Sequence, residues 1–98
     1  MTIIEQILAD IIRIAEPSRV ILYGKKAHVD SGEIKSMDFC VITNQPEKEV
    51  LHKLTLGVDY DLPIRFKVYA DADWDELMSD TESYAYLIAH KGTVLYER

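Results

Sequence analysis

One cysteine, three prolines, four glycines and no long apolar run set the first bounds on this 98-residue chain. A lone thiol, Cys40, makes no internal disulfide and no paired-cysteine metal site, so nothing in the chain asks for an oxidising compartment. No segment approaches the ~18 consecutive apolar residues of a membrane span. The first apolar stretch is interrupted by Glu5 and Asp10, and no basic leader or cleavage site precedes it. Together these absences predict a cytoplasmic protein with no membrane association. Cations are also scarce: 11 Lys and Arg against 17 Asp and Glu leave a net charge of -6. That balance opposes the counterion release that drives non-specific nucleic-acid binding.

What is present suits one compact domain spanning residues 1–98. Hydrophobic residues make up 48% and charged residues 29%, close to globular averages and far from disordered or repetitive compositions. A chain of this mass exposes roughly 5,700 Å² when folded, which leaves enough buried surface for a modest core.

The order of elements follows from hydrophobic spacing. Ile4, Ile7, Leu8, Ile11 and Ala15 mark an amphipathic helix that opens with a Thr2/Glu5 capping box and ends near Glu16, before Pro17. Arg19 to Tyr23 fits a short strand stopped by Gly24, and the polar run Lys25 to Lys35 reads as a loop with room for a helical turn. Met37 to Thr43 is nearly continuous in apolar character, as in a strand covered on both faces, and Asp38 stands out within it. Val50, Leu51, Leu54 and Val58 have helical spacing, with Pro46 suited to the first turn. Ile64, Phe66 and Val68 alternate with Arg65 and Lys67, the pattern of a strand with one polar face. Trp74, Leu77 and Met78 suggest a short helix, and Tyr84, Leu87 and Ile88 another that closes at Lys91-Gly92 in the manner of a glycine C-cap. Thr93 to Tyr96 adds a final strand. The expected architecture is α+β: a small mixed sheet, with parallel and antiparallel neighbours, backed by helices.

From Leu22-Tyr23-Gly24 onward the sequence resembles the minimal nucleotidyltransferase family. That family places a Gly-Ser at the end of one strand, then a polar loop, then Asp-x-Asp on the next strand. Gly24 takes the family glycine, Lys26-Ala27-His28 its basic stretch, Asp30 the following acid, and Ser36-Met37-Asp38 falls where Asp-x-Asp stands. Leu62 to Tyr69 resembles the family's third strand, with Arg65 at the position of the third carboxylate, and Tyr84 to Tyr96 is similar to its closing helix, glycine turn and Leu-Tyr ending. The resemblance covers almost the whole chain and implies a nucleotidyltransferase-like fold.

In active members, carboxylates hold two Mg²⁺ ions that neutralise entering and leaving oxygens, while the Gly-Ser turn grips the phosphates. This chain departs at the chemistry. Lys25 replaces the serine, Ser36 the first aspartate and Arg65 the third; Asp38 alone keeps its acid. Counting Asp38 against Lys25 and Arg65, the local charge moves from about -3 to about +1, which repels divalent cations. The resemblance therefore implies a vestigial site made of Gly24, Lys25, Ser36, Asp38 and Arg65, with no catalytic group assigned and no cofactor expected, Mg²⁺ entering only if the chain is an active enzyme. Asp38 is either a residual metal ligand or a carboxylate paired with Arg65 across adjacent strands, and the habit of buried charges to pair favours the second. Gly24, Lys25 and Arg65 could alternatively form a metal-free phosphate clamp if a helix follows the glycine.

Other candidate groups carry bland readings. Cys40 sits where the family strand is apolar and reads as a buried, inert thiol. His28, His52 and His90 lack ligand spacing. Asp71, Asp73, Asp75 and Glu82 mimic calcium-loop spacing, but Glu76 stands where that loop needs glycine, so an acidic helix start is the better reading. Tyr23, Tyr69, Trp74, Tyr84, Tyr86 and Tyr96 suit core, rim or protein-interface packing.

The resemblance implies a non-catalytic binding or regulatory domain. Its partner would be another protein or a second copy, since family members often pair with a small helical protein, in some cases as antitoxin to a ribonuclease toxin. Two alternatives stand beside it: an active enzyme that transfers a nucleoside monophosphate from an NTP, with Mg²⁺ at a site rebuilt by Asp38 and loop acids such as Asp30 or Glu33, and a metal-independent nucleotide sensor.

Overall fold

The computed structural model describes all residues, 1–98. Eight elements follow in order: α1 (Ile3–Ala15), β1 (Arg19–Ala27), β2 (Ile34–Thr43), α2 (Glu47–Gly57), β3 (Ile64–Ala70), α3 (Asp71–Leu77), α4 (Tyr84–Lys91) and β4 (Thr93–Glu97). The four strands form one sheet in the order β3-β2-β1-β4. β1 runs antiparallel to both β2 and β4, whereas β2 and β3 are parallel, joined by the α2 crossover that parallel neighbours require. The architecture is therefore the α+β mixed sheet that the sequence predicts. No helix is long and apolar enough to cross a membrane.

Alternation along β2 divides the core in two. Met37, Phe39 and Val41 face one side, where they meet Ile7, Ile11 and Ala15 of α1, Val20 of β1, and Val50 and Leu54 of α2. Cys40 and Ile42 face the other side, with Ile21 of β1, Trp74 of α3, and Ala85 and Ile88 of α4. Both faces of β2 are covered, which is why its apolar run is nearly continuous. Asp38 has the parity of Cys40 and Ile42 and so belongs to the α3/α4 face.

Local signals explain the element ends. Thr2 and Glu5 form the expected capping box, and α1 ends at Glu16, which takes a left-handed conformation (φ 43°) directly before Pro17. α2 starts at Glu47 with Pro46 as its N-cap, one position outside the first turn expected for that proline. Ser83 caps α4 by accepting from the Tyr86 amide at 3.0 Å. Gly92 ends α4, but in an extended conformation (φ -85°) in place of the left-handed cap expected there. Glycine is needed for space: a Cβ would meet the carbonyl oxygens of Ile88 and Leu22 at 2.8 and 3.1 Å.

The largest departure from the sequence reading lies between Lys25 and Lys35. It is no simple loop: β1 continues to Ala27, β2 begins at Ile34, and only residues 28–33 connect them. The pairs Lys26↔Ser36 and Ala27↔Ile34 extend the hairpin beyond the last residues paired with β4 and β3. This projecting ribbon agrees with the elongated 40 × 27 × 21 Å shape and with an accessible surface of 6198 Å², above the area expected for a chain of this mass. Asp71, Asp73 and Asp75 lie on helix α3, so no calcium loop forms there.

Candidate functional site

Asp38 and Arg65 are directly paired in the parallel β2–β3 register, and Gly24 is the antiparallel partner of Asp38 on the other side. The three residues consequently sit side by side across β1, β2 and β3. Arg65 Nε donates to Asp38 Oδ1 at 2.5 Å and Arg65 Nη2 to Asp38 Oδ2 at 3.1 Å, a two-pronged fork on one carboxylate. Asp38 is only 19% exposed, whereas Arg65 is 65% exposed, so the guanidinium lies over the carboxylate from the solvent side. Hydrogen bonding to Asp38, reinforced by its charge, holds the Arg65 guanidinium above its already high pKa.

A cleft of about 360 Å³ opens at this pair, lined by Tyr23, Asp38, Arg65, Phe66 and Tyr84. The rings of Tyr23 and Tyr84 meet edge to face with centroids 6.2 Å apart. Burial first, then Tyr84 and the Asp38 carboxylate, push the Tyr23 hydroxyl well above its ordinary pKa, so it stays protonated at neutral pH. Lys67, two residues beyond Arg65 on the same face, places its Nζ 5.8 Å from the ring centres of both Tyr69 and Tyr84. Deeper under that face, burial pushes the Cys40 thiol up to about 12 against the opposing pull of Lys67, in keeping with an inert thiol.

The five residues singled out in the sequence are not all brought together. A register shift between Leu22 and Gly24 inserts Tyr23 as an extra residue in β1, which resets the alternation beyond it. Lys25 therefore pairs with Met37 and takes the face of α1 and α2, opposite to Asp38 and Arg65. No helix follows Gly24 to offer free amides, because the strand continues to Ala27. Neither element of a Gly24-Lys25-Arg65 phosphate clamp is in place. Ser36 does share the face of Asp38, one pleat along β2, where it pairs with Lys26. Asp38 is the one carboxylate at the cleft, and no group of three His, Cys, Asp or Glu side chains anywhere in the chain is placed to hold a metal ion. Asp30 and Glu33, on the connecting segment 28–33, rebuild no such group.

Tyr23, Tyr84 and Lys67 belong to this surface although spacing alone did not single them out as site residues. Period-two alternation after Arg65 places Lys67 on the same face, and that signal was readable in the sequence. Nothing local announces Tyr84, which reaches the cleft only because α4 packs beside β1. A second cleft, of about 200 Å³, lies at the other end of β1 between Ser18, Asp71, Trp74 and Arg98. It is laced by bonds from the Ser18 hydroxyl to Asp71 and to the Ile42 carbonyl, and it contains none of the motif residues. Comparison of the chain with protein-family models, with curated proteins and with solved structures finds no match.

Proposed function

We propose that this chain is a degenerate minimal nucleotidyltransferase-like domain that acts, without catalysis, by binding a protein partner in the cytoplasm. The observation that carries this reading is the Arg65 fork on Asp38. The one acid surviving at the motif has both oxygens engaged by a cation from the next strand, and a Mg²⁺ ion would have to displace that guanidinium to reach them. With one carboxylate at the cleft, the side chains offer too few oxygen ligands to hold the two metal ions that such phosphoryl transfer uses. A partner of the kind the family resemblance suggests, a small helical protein held in an antitoxin-type complex, gives such a domain a role that needs no chemistry; a second copy of the chain is the other occupant of that role.

A metal-independent nucleotide sensor remains the second reading, favoured by one feature. Arg65 keeps three N–H donors beyond those spent on Asp38, beside a Tyr84 ring that is 52% exposed.

The thermal midpoint, measured with ATP and other NTPs in Mg²⁺ and again in EDTA, separates these readings. A ligand at ~100 times its dissociation constant adds about 2.7 kcal/mol to stability. The expected result is no shift in either buffer and no pyrophosphate release. A rise that depends on Mg²⁺, accompanied by pyrophosphate, overturns the non-catalytic reading; a rise that survives EDTA and vanishes in Arg65→Ala establishes the sensor.

A further inference from the structure

β3 lies at the edge of the sheet, and its bare side is unusually easy to define. The Met37 amide donates to the Pro63 carbonyl at 3.2 Å, and Met37 is opposite Ile64 in the parallel register. In such a ladder each strand turns alternate residues toward its neighbour. Arg65, Lys67 and Tyr69 therefore bond to β2, whereas the N–H and C=O groups of Ile64, Phe66 and Val68 point outward. Ala70 has the same outward parity, and its N–H is already taken by the Glu47 carboxylate of α2 at 3.0 Å. An acidic oxygen of the chain itself thus occupies the end of this edge and leaves the amides of Phe66 and Val68 open.

The two sides of that edge differ in chemistry. Toward α2, a cleft of about 280 Å³ runs beside Lys48, Leu51, Phe66 and Val68, and Leu51 is 40% exposed within it. Toward α4, Arg65 and Lys67 stand exposed on one face; Lys67 shares a cleft with Glu47, Asp73 and Glu76 but makes no ion pair, its Nζ lying 5.8 Å from two tyrosine rings, and Arg65 keeps its unspent donors. Self-pairing of two β3 edges is disfavoured by this arrangement. Antiparallel registers centred on Phe66 or Lys67 set Arg65 or Lys67 directly opposite a like charge. The register centred on Val68 draws in Ala70, whose N–H Glu47 already holds. Edge lysines guard against exactly such self-association.

We propose that the outer edge of β3 takes up an extended segment of a partner protein in which acidic and apolar residues alternate. Its backbone pairs with Phe66 and Val68, its acids face Arg65 and Lys67, and its apolar side chains enter the cleft beside Leu51. Asp73 and Glu76 line a cleft together with Lys67 and Tyr69, so the partner's acids lie toward the Arg65 end of the strand and reach no further than Lys67. The inference rests on the protein-binding reading above and names the surface and the chemistry of the partner.

The test is amide hydrogen exchange followed by NMR on the full chain, with an acetylated, amidated heptapeptide of alternating valine and glutamate titrated to millimolar concentration. The Phe66 and Val68 amides should exchange fast in the free protein and slow by about tenfold or more with peptide, while those of Arg65, Lys67 and Tyr69 are protected throughout. The same peptide with lysine in place of glutamate should give no protection. Lys67→Glu, an exposed change that keeps the fold, should weaken binding of the glutamate peptide about tenfold. Unchanged exchange at Phe66 and Val68, or equal protection by both peptides, overturns the proposal. Protection that instead rises with protein concentration alone identifies a second copy as the occupant and overturns it too. Pyrophosphate release would defeat the non-catalytic reading, and nucleotide binding that survives EDTA would favour the sensor, without altering these two amides, so the failures are distinguishable.

Discussion

Gly24 lies so close to Asp38 across the β1–β2 ladder that a methyl group on it would overlap the carboxylate that Arg65 holds. The absence of a side chain at Gly24 makes room for an ion pair.

Gly24→Ala should therefore destabilise the protein by roughly 1–3 kcal/mol, the usual cost of overpacking. The same substitution in an Asp38→Ala background should cost less than about 1 kcal/mol, since most of the clash is with the carboxylate. Urea denaturation of the four proteins of this cycle checks the claim, and additive costs would show that the glycine and the ion pair are independent.

Ser36 and Asp38 share one face, and Arg65 is opposite Asp38, so Ser36→Asp with Arg65→Asp should set three carboxylates on the α3/α4 side of the sheet. That double variant should bind Mg²⁺ or Mn²⁺ with a dissociation constant on the order of 0.1–1 mM, as a modest oxygen site does. The unmodified protein should bind neither in calorimetry. Metal uptake by the unmodified chain would mean that the Arg65 fork does not block Asp38.

Alkaline stability should depend on the tyrosines beneath this surface. Burial pushes the Tyr69 hydroxyl from its ordinary 10.0 up to about 12, and burial also raises Tyr23. Below pH 10 folded and unfolded chains both keep these protons; between about 10 and 12 the unfolded chain releases the Tyr69 proton first, so folding stability falls as pH rises through that window. Tyr69→Phe should flatten the fall, measured by denaturation at a series of pH values. An unchanged slope would place the titrating groups elsewhere.

Trp74 is buried with an indole N–H that finds no hydrogen-bond acceptor, its ring tilted 58° against Tyr69 at 5.4 Å. Trp74→Phe removes the orphan donor while keeping most of the apolar contact and should cost less than about 1.5 kcal/mol. Trp74→Ala opens a cavity and should cost about 3–5 kcal/mol. Similar costs for the two variants would mean that the N–H is bonded after all, for instance to the face of the Tyr69 ring.

Most of the architecture was legible because it rests on local signals: the Thr2/Glu5 box, the apolar run of β2, the alternation in β3 and the spacing of Tyr84, Leu87 and Ile88 in α4. The pairing of Asp38 with Arg65 was legible for a different reason, since it follows once both residues are placed on neighbouring strands. The continuation of β1 through Lys25 to Ala27 was not legible. Glycine followed by two lysines and no apolar alternation has the chemistry of a loop, and there the ladder to β2 supplies what the side chains do not. The face taken by Lys25 was hidden for the same reason. It depends on the extra residue at Tyr23, and a bulge is a property of two strands together.

The crossover that makes β2 and β3 parallel has a consequence for the order of assembly. The β1–β2 hairpin closes across only residues 28–33, whereas β3 reaches β2 only after the whole of residues 44–63, α2 included, has been passed over. Loop-closure entropy makes the hairpin early and the parallel pair late, on the scale of microseconds for the first and longer for the second. Until that crossing is made, the edge of β2 later covered by β3 is bare, so a newly emerging chain passes through a stage whose most adhesive strand is the one the finished molecule hides best.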